Sequence, residues 1–206
     1  MTLESSLALI GFAFVMSLSP GPGNFLLLSS GANFGFGRSV PLVLGISGGF
    51  LTMVFCIGIG LGEVLQRAPA ILTVLRVLCA VYVMYLAWKI SRIRSLGSGS
   101  DGTLAKPIGF VQAAMFQLVN PKAWAVAFIL TVSYTDPENY LSSLLILIAL
   151  FAIVNLPTIS LWAVSGVALR RVLSTDARLR LFNLVMAGLL VATMIPVLAD
   201  RSLIGG

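Results

Sequence analysis

Apolar residues come in six long runs, separated by short clusters of polar residues, glycine and proline. A membrane-crossing helix needs about 20 mostly apolar residues. The runs Leu7–Ser30, Val40–Leu61, Ile71–Ile90, Ile108–Ser133, Ser142–Gly166 and Leu181–Leu198 each meet that length. Punctuation such as Gly35-Phe36-Gly37 and Thr135-Asp136-Pro137-Glu138-Asn139 keeps the connections short. The pattern predicts an all-α polytopic membrane protein with six transmembrane helices. The first run is preceded by Glu4 and by no basic residue, so it reads as a span and not as a cleaved leader.

Composition agrees with the pattern. Hydrophobic side chains make up 58% of the 206 residues and charged ones 10%, against about 25% charged in an ordinary globular chain. Histidine is absent, which removes imidazole metal sites, Ser-His-Asp and Cys-His relays and histidine proton shuttles. Cys56 and Cys79 lie inside apolar runs and read as small buried hydrophobes.

The sequence pI near 9.9 resembles that of a nucleic-acid binder until the charges are located. With six spans, both termini share one side with the second and fourth loops. That side carries Arg67, Arg76 and Arg201 against Glu4, Glu63, Asp136, Glu138 and Asp200. The other carries Arg38, Lys89, Arg92, Arg94, Lys106, Arg170, Arg171, Arg178 and Arg180 against Asp101 and Asp176. Positive charge gathers on cytoplasmic loops. The first, third and fifth loops are therefore expected inside and both termini outside, and the basic balance is topology, with no nucleic-acid partner. Arg76 can snorkel, and Tyr82, Tyr85 and Trp88 beside Lys89 read as an interfacial aromatic belt.

The polar stretch 95–103 reads as a flexible linker between halves 1–94 and 104–206 of a single transmembrane domain, 1–206. Three spans per half means that the second half enters the membrane in the opposite sense, a 3+3 inverted-topology repeat. The first span of each half is broken, so that helices one and four are each interrupted. One break is Ser19-Pro20-Gly21-Pro22-Gly23-Asn24; the other is Asn120-Pro121-Lys122. Pro20 and Pro121 each stand about 13 residues into their runs, roughly 19 Å deep in a core about 30 Å thick. Backbone freed at that depth needs protein or a watery cavity to satisfy it, and matched breaks point to a transport site.

Asn120 before Pro121 reads as an N-cap followed by proline at the first helical position. Lys122 then places a full charge where the helix dipole already disfavours a cation, and it is the one charge deep in any span. Two readings stand: a substrate carboxylate held by Lys122 and the free N–H groups of both breaks, or a structural tie from Lys122 to the carbonyls ending the preceding half-helices. The expected binding residues are Pro20, Gly21, Pro22, Gly23, Asn24, Asn120, Pro121, Lys122 and Asn155, with Asn24, Asn155 and the carbonyls of Pro20–Gly23 as candidates for an ammonium. Gly45, Gly49, Thr52, Cys56 and Gly60 in span two, and Asn155, Thr158, Trp162 and Ser165 in span five, recur at helical spacing. They read either as a pathway lining or as close helix packing. No metal or cofactor is called for.

Several segments resemble the lysine-exporter (LysE/RhtB) family of amino-acid exporters. They are the Ser19–Asn24 motif, Gly45-Ile46-Ser47-Gly48-Gly49-Phe50, Tyr85-Leu86-Ala87-Trp88-Lys89, Ala105-Lys106-Pro107-Ile108, Gln117-Leu118-Val119-Asn120-Pro121-Lys122 and the basic loop Arg170–Arg180. The resemblance implies a bacterial inner-membrane exporter driven by the proton gradient, with an amino-acid substrate, the lipid bilayer as surroundings and a homo-oligomer compatible. Phe50 stands where many members carry an acidic residue, and no Asp or Glu lies inside a span. Both departures disfavour a basic substrate. Phe50, the end of span three and Ala105-Lys106-Pro107-Ile108 look closest to the branch exporting cysteine and O-acetylserine. A small neutral amino acid or derivative is expected, homoserine, threonine and leucine included. A divalent-metal exporter of related architecture would want carboxylates that the spans lack. A non-transporting scaffold is the other alternative, and a membrane enzyme would lack an acid–base pair.

Overall fold

The computed structural model describes residues 2–61, 69–93, 107–193 and 195. The linker 95–103, Glu63, Arg67, Arg94, Asp101, Lys106, Asp200, Arg201 and the side chains of Arg76 and Cys79 fall outside the described set. Within it the chain is helical, with no strand. The helices are α1 Leu3–Leu18, α2 Pro22–Phe34, α3 Phe36–Cys56, α4 Pro69–Ser91, α5 Phe110–Leu118, α6 Pro121–Ser133, α7 Tyr140–Leu169 and α8 Asp176–Ala192. After α3 the backbone stays helical at Ile57 and is broken at Gly60, whose φ of 115° is left-handed.

The ends follow local chemistry. Thr2 accepts from the Ser5 N–H and starts α1 four residues ahead of the apolar run; Thr175 does the same for α8 through Arg178 N–H. Pro20 excludes helical backbone at Ser19, which is extended (φ −63°, ψ 139°) and ends α1. Pro121 likewise holds Asn120 extended. Proline then opens the next helix at its first position, Pro22 in α2 and Pro121 in α6. The helix-opening counterpart of Pro121 is therefore Pro22 and not Pro20, whose ring serves to stop α1. The chain bends by 58° between α1 and α2 and by 70° between α5 and α6. A single residue, Gly35, joins α2 to α3; its φ of 83° is left-handed, a conformation that suits glycine.

Phe36–Gly60 and Tyr140–Leu169 are long and apolar enough to cross a membrane alone, and each bent pair qualifies when counted as one span. The third predicted run lies in α4 and the part 181–192 of the sixth lies in α8, and these two helices pack on each other. Large apolar side chains point outward on several helices, with Val132 79% and Ile153 69% exposed. Water would not tolerate such a surface; lipid does.

Glycines set the closest helix approaches. A Cβ on Gly31 of α2 would fall on the Ala163 carbonyl of α7, and one on Gly166 of α7 on the Leu28 carbonyl of α2. Gly45 and Gly49 of α3 face Phe110, Ala113 and Ala114 of α5 with equally little room. That part of the small-residue stripe is therefore helix packing, while Thr52 is exposed. In α7 the expected polar stripe divides: Thr158 bonds back to the Val154 carbonyl, and Ser165 is exposed. Packing among the described residues leaves two large cores, beside a small third cluster of Ala32, Leu173 and Leu179. One gathers Leu26, Leu42, Ile46, Leu86, Phe116 and Ile159; the other gathers Leu9, Phe50, Met53, Val126, Leu147 and Phe151.

Hydrogen bonds between described residues tie helix ends together at both ends of the bundle. At one end Asn33 of α2 and Asn183 of α8 exchange amide hydrogen bonds of 2.8 and 3.1 Å, and Asn183 Nδ2 also donates to the Ile93 carbonyl just past α4. Gly35 lies beside the Arg170 guanidinium at the end of α7. Asn33, Gly35, Ile93, Arg170 and Asn183 thus gather at one end, together with the described first and fifth connections. At the other, Tyr140 donates to the Gly58 carbonyl. On α4, Tyr82, Tyr85 and Trp88 form a ridge whose outer members are 43% and 57% exposed, with the Arg92 guanidinium 5.5 Å from the Trp88 ring centre. That is a belt-like surface.

The amide pair gives a stability prediction. Asn183→Leu strands Asn33 Oδ1 and the Ile93 carbonyl in a buried site, at about 1–3 kcal/mol for each unsatisfied group, while Asn33 Nδ2 keeps the Ser29 carbonyl. Thermal unfolding in detergent should show a clear loss. The Asn33→Leu/Asn183→Leu double variant should lose less than the sum of the singles. Additive losses would mean that the two amides do not depend on each other.

Candidate functional site

The two breaks meet. Lys122, the second residue of α6, donates from Nζ to the Ser19 carbonyl and to Ser19 Oγ, both at 2.7 Å. Asn24 of α2 donates from Nδ2 to the Ser17 and Ser19 carbonyls at 2.9 and 2.8 Å. The carbonyl end of α1, which carries partial negative charge, is thereby closed by a cation and an amide from the two opposite half-helices. Ser19 Oγ hands its own proton to the Met16 carbonyl and so stays an acceptor for Lys122. The lysine stem lies over Gly21, where an added Cβ would stand 2.9 Å from Lys122 Cδ. Of the two readings of Lys122, the tie to a preceding half-helix is present in this conformation.

Beside this junction is a half-open cavity of about 480 Å³ with its mouth included, lined from both of the large apolar cores. Six of the nine expected residues line it: Gly21, Gly23, Asn24, Asn120, Lys122 and Asn155. Pro20, Pro22 and Pro121 are not in the wall; they shape the backbone that is. Ser17 and Gln117 also line it and were missed as site residues. Their signal was visible, a polar side chain within three positions of each break in an otherwise apolar run. The remaining wall is apolar, with Ile46, Val126 and Ile159 and with Phe50 and Phe151, whose rings are 4.9 Å apart.

Two expected roles change. Asn120 occupies the N-cap position of α6, but its side chain makes no capping bond; it turns back and donates to Gln117 Oε1 at 3.1 Å. Asn24 spends its donor on α1, so its amide nitrogen is already engaged. Asn155 reaches across from α7 and donates to Ser17 Oγ at 2.8 Å. Proline carries no N–H and Ala123 N–H donates to the Asn120 carbonyl, so the N–H groups left without a partner one turn back are those of Gly23 and Asn24 in α2 and of Lys122 in α6, all three residues of the cavity wall. Among the described residues no cluster of three His, Cys, Asp or Glu stands ready for a metal ion.

Bent apolar spans around a half-polar cavity, with one cation at their junction, define a membrane transporter. The chain belongs to the LysE family: the family model for LysE type translocators matches residues 14–199. It is 31% identical over 182 residues to the cysteine/O-acetylserine efflux proteins of Escherichia coli (strain K12) and of Shigella sonnei (strain Ss046). The match covers 87% of this chain and 90% of each relative. A Shigella flexneri protein of the same name matches to the same extent. No solved structure is significantly similar to the chain. The protein is a translocator and not an enzyme.

Proposed function

We propose that the protein exports small neutral amino acids or close derivatives, cysteine and O-acetylserine among them, across the bacterial inner membrane at the expense of the proton gradient. The single observation that carries this is Lys122. It is a cation in the wall of a half-open cavity, with no carboxylate among the described residues of that wall to neutralise it. A carboxylate fits there: it takes the lysine and the open N–H groups of both half-helices. It then competes with the Ser19 carbonyl for the same ammonium. Binding loosens the tie between the two broken spans, and departure restores it. The substrate side chain faces Phe50, Phe151, Val126 and Ile159, which favours an uncharged group.

The architecture behind this reading is six spans in two inverted halves, 1–94 and 104–206, forming one domain with the basic end cytoplasmic and both termini periplasmic. The packing supports it. If α1–α4 correspond in order to α5–α8, the α3·α5 contact should recur as α7·α1, and it does. Of the four pairs that map onto themselves, α3·α7 and α4·α8 are in contact. Each half opens with a bent helix pair whose second member starts on proline.

Purified protein in liposomes, loaded in turn with labelled serine, cysteine, homoserine, threonine and leucine, tests the reading. A pH gradient should accelerate efflux of at least one of the five over protein-free vesicles. Flux equal to the vesicle leak for all five would end it.

A further inference from the structure

Among the described residues four buried side-chain polar atoms have no hydrogen-bond partner: Ser47 Oγ, Asn120 Oδ1, Asn155 Oδ1 and Trp162 Nε1. Only the two carbonyl oxygens belong to residues of the cavity wall. Those residues are 5% and 7% exposed. Each amide has already spent an N–H on a neighbour, Asn120 on Gln117 Oε1 and Asn155 on Ser17 Oγ. The nitrogen end of each is thus engaged inside the protein, and the oxygen end is left over. The pair comes from unrelated elements, the break before α6 and the middle of α7, so no single turn geometry explains both. A buried carbonyl without a donor is expensive. Two of them beside one cavity call for a donor that the protein does not supply, because the cation in the same wall donates to Ser19.

We infer that Asn120 and Asn155 recognise a free, protonated amino group, so that the transporter accepts amino acids with an unmodified α-nitrogen and rejects their N-acylated forms. This rests on the amino-acid reading above and narrows its substrate class. An α-ammonium brings three N–H donors and a charge; two donors satisfy the two amide oxygens. N-acylation removes the charge and leaves one N–H, so at least one carbonyl stays stranded, and the acyl group must enter space bounded by Phe50 and Phe151. N-methylation keeps the charge and two donors. Loss of a hydrogen-bonding group that a buried site expects is a strong discriminator, far stronger than a lost methylene.

The test is counterflow of labelled serine in liposomes carrying the full chain, with unlabelled serine, N-methylserine, N-acetylserine and 3-hydroxypropanoate as competitors. N-methylserine should compete within a fewfold of serine, whereas N-acetylserine and the amine-free acid should need roughly 100-fold more, a gap of about two decades for lost buried partners. Asn155→Leu should weaken serine and shrink that gap. Asn155→Asp keeps an acceptor at the same place, with Ser17 free to donate to it, and should preserve the gap; it also serves if the leucine variant fails to fold. N-acetylserine competing as well as serine would overturn the inference while leaving amino-acid transport intact. So would a gap that Asn155→Leu, folded and active, does not change. Absence of exchange for every amino acid in the flux panel would instead remove the transport reading, and this inference with it.

Discussion

Lys122→Met should abolish transport, lowering flux about 100-fold or more, on the scale of two lost charge-assisted hydrogen bonds at about 1.5–3 kcal/mol each. Membrane insertion and the yield of monodisperse protein should be retained. The methionine keeps the length and apolar stem that lie over Gly21 but cannot donate to Ser19 or to a carboxylate. The Ser19 carbonyl is not left bare, because Asn24 still donates to it at 2.8 Å. That residual bond separates the two roles of the lysine: the tie has a partial understudy, and the carboxylate contact has none. Lys122→Arg should recover little, since a planar fork cannot follow the same path over Gly21 to two acceptors on one residue. Flux in liposomes, beside thermal unfolding of the same preparation, makes the measurement. Normal flux in Lys122→Met would return the residue to a purely structural role.

Gly31→Leu and Gly166→Leu should be the most damaging changes to the fold. Both glycines sit at the α2·α7 crossing, where even a Cβ would land on a backbone carbonyl of the opposite helix. Backbone cannot swing aside as a side chain can, so the helices must separate. Overpacking of that kind costs about 1–3 kcal/mol and more when nothing yields. Alanine at the same positions should also destabilise, although alanine is the better helix former by about 1 kcal/mol. Gly11 and Gly188 provide the contrast: an added Cβ there meets nothing within 4 Å, and Gly→Ala at either should be neutral or stabilising. Detergent unfolding temperatures for the four alanine variants decide it. Equal tolerance at all four sites would show that the crossing is looser than its geometry.

Much of this was legible in the order of residues because proline and glycine act locally. The breaks at Ser19–Asn24 and Asn120–Lys122 could be read without knowing the fold, since a proline constrains its own backbone and that of the residue before it. The grouping of basic residues at one end could be read because charge avoids lipid. Other features depend on which side chains meet across helices. Nothing local says that Pro22, one Gly-Pro unit after Pro20, opens α2. Nothing local says that Lys122 reaches 103 positions back to Ser19 or that Asn120 turns away from its own helix to Gln117. The stripe Gly45–Gly49 carried both a lining and a packing reading, and only the position of α5 resolved it. Ser17 and Gln117 were visible as polar interruptions, but their facing a common cavity is a tertiary fact.

The one-residue joint at Gly35 has a mechanical consequence. A helix of 13 residues is a rod about 20 Å long, and α2 has Gly35 at one end and the cavity at the other. With no slack in the joint, a tilt of the rod would turn about that end, where Asn33 and Asn183 hold it. A swing of about 10° about that pivot displaces the far end by about 3 Å, given the rod's length. That is the span of one hydrogen bond. It carries Gly23 and Asn24 away from, or onto, the carbonyls that Lys122 also seeks. The lever arm turns a rotation too small to disturb the anchored end into a complete exchange of partners at the other.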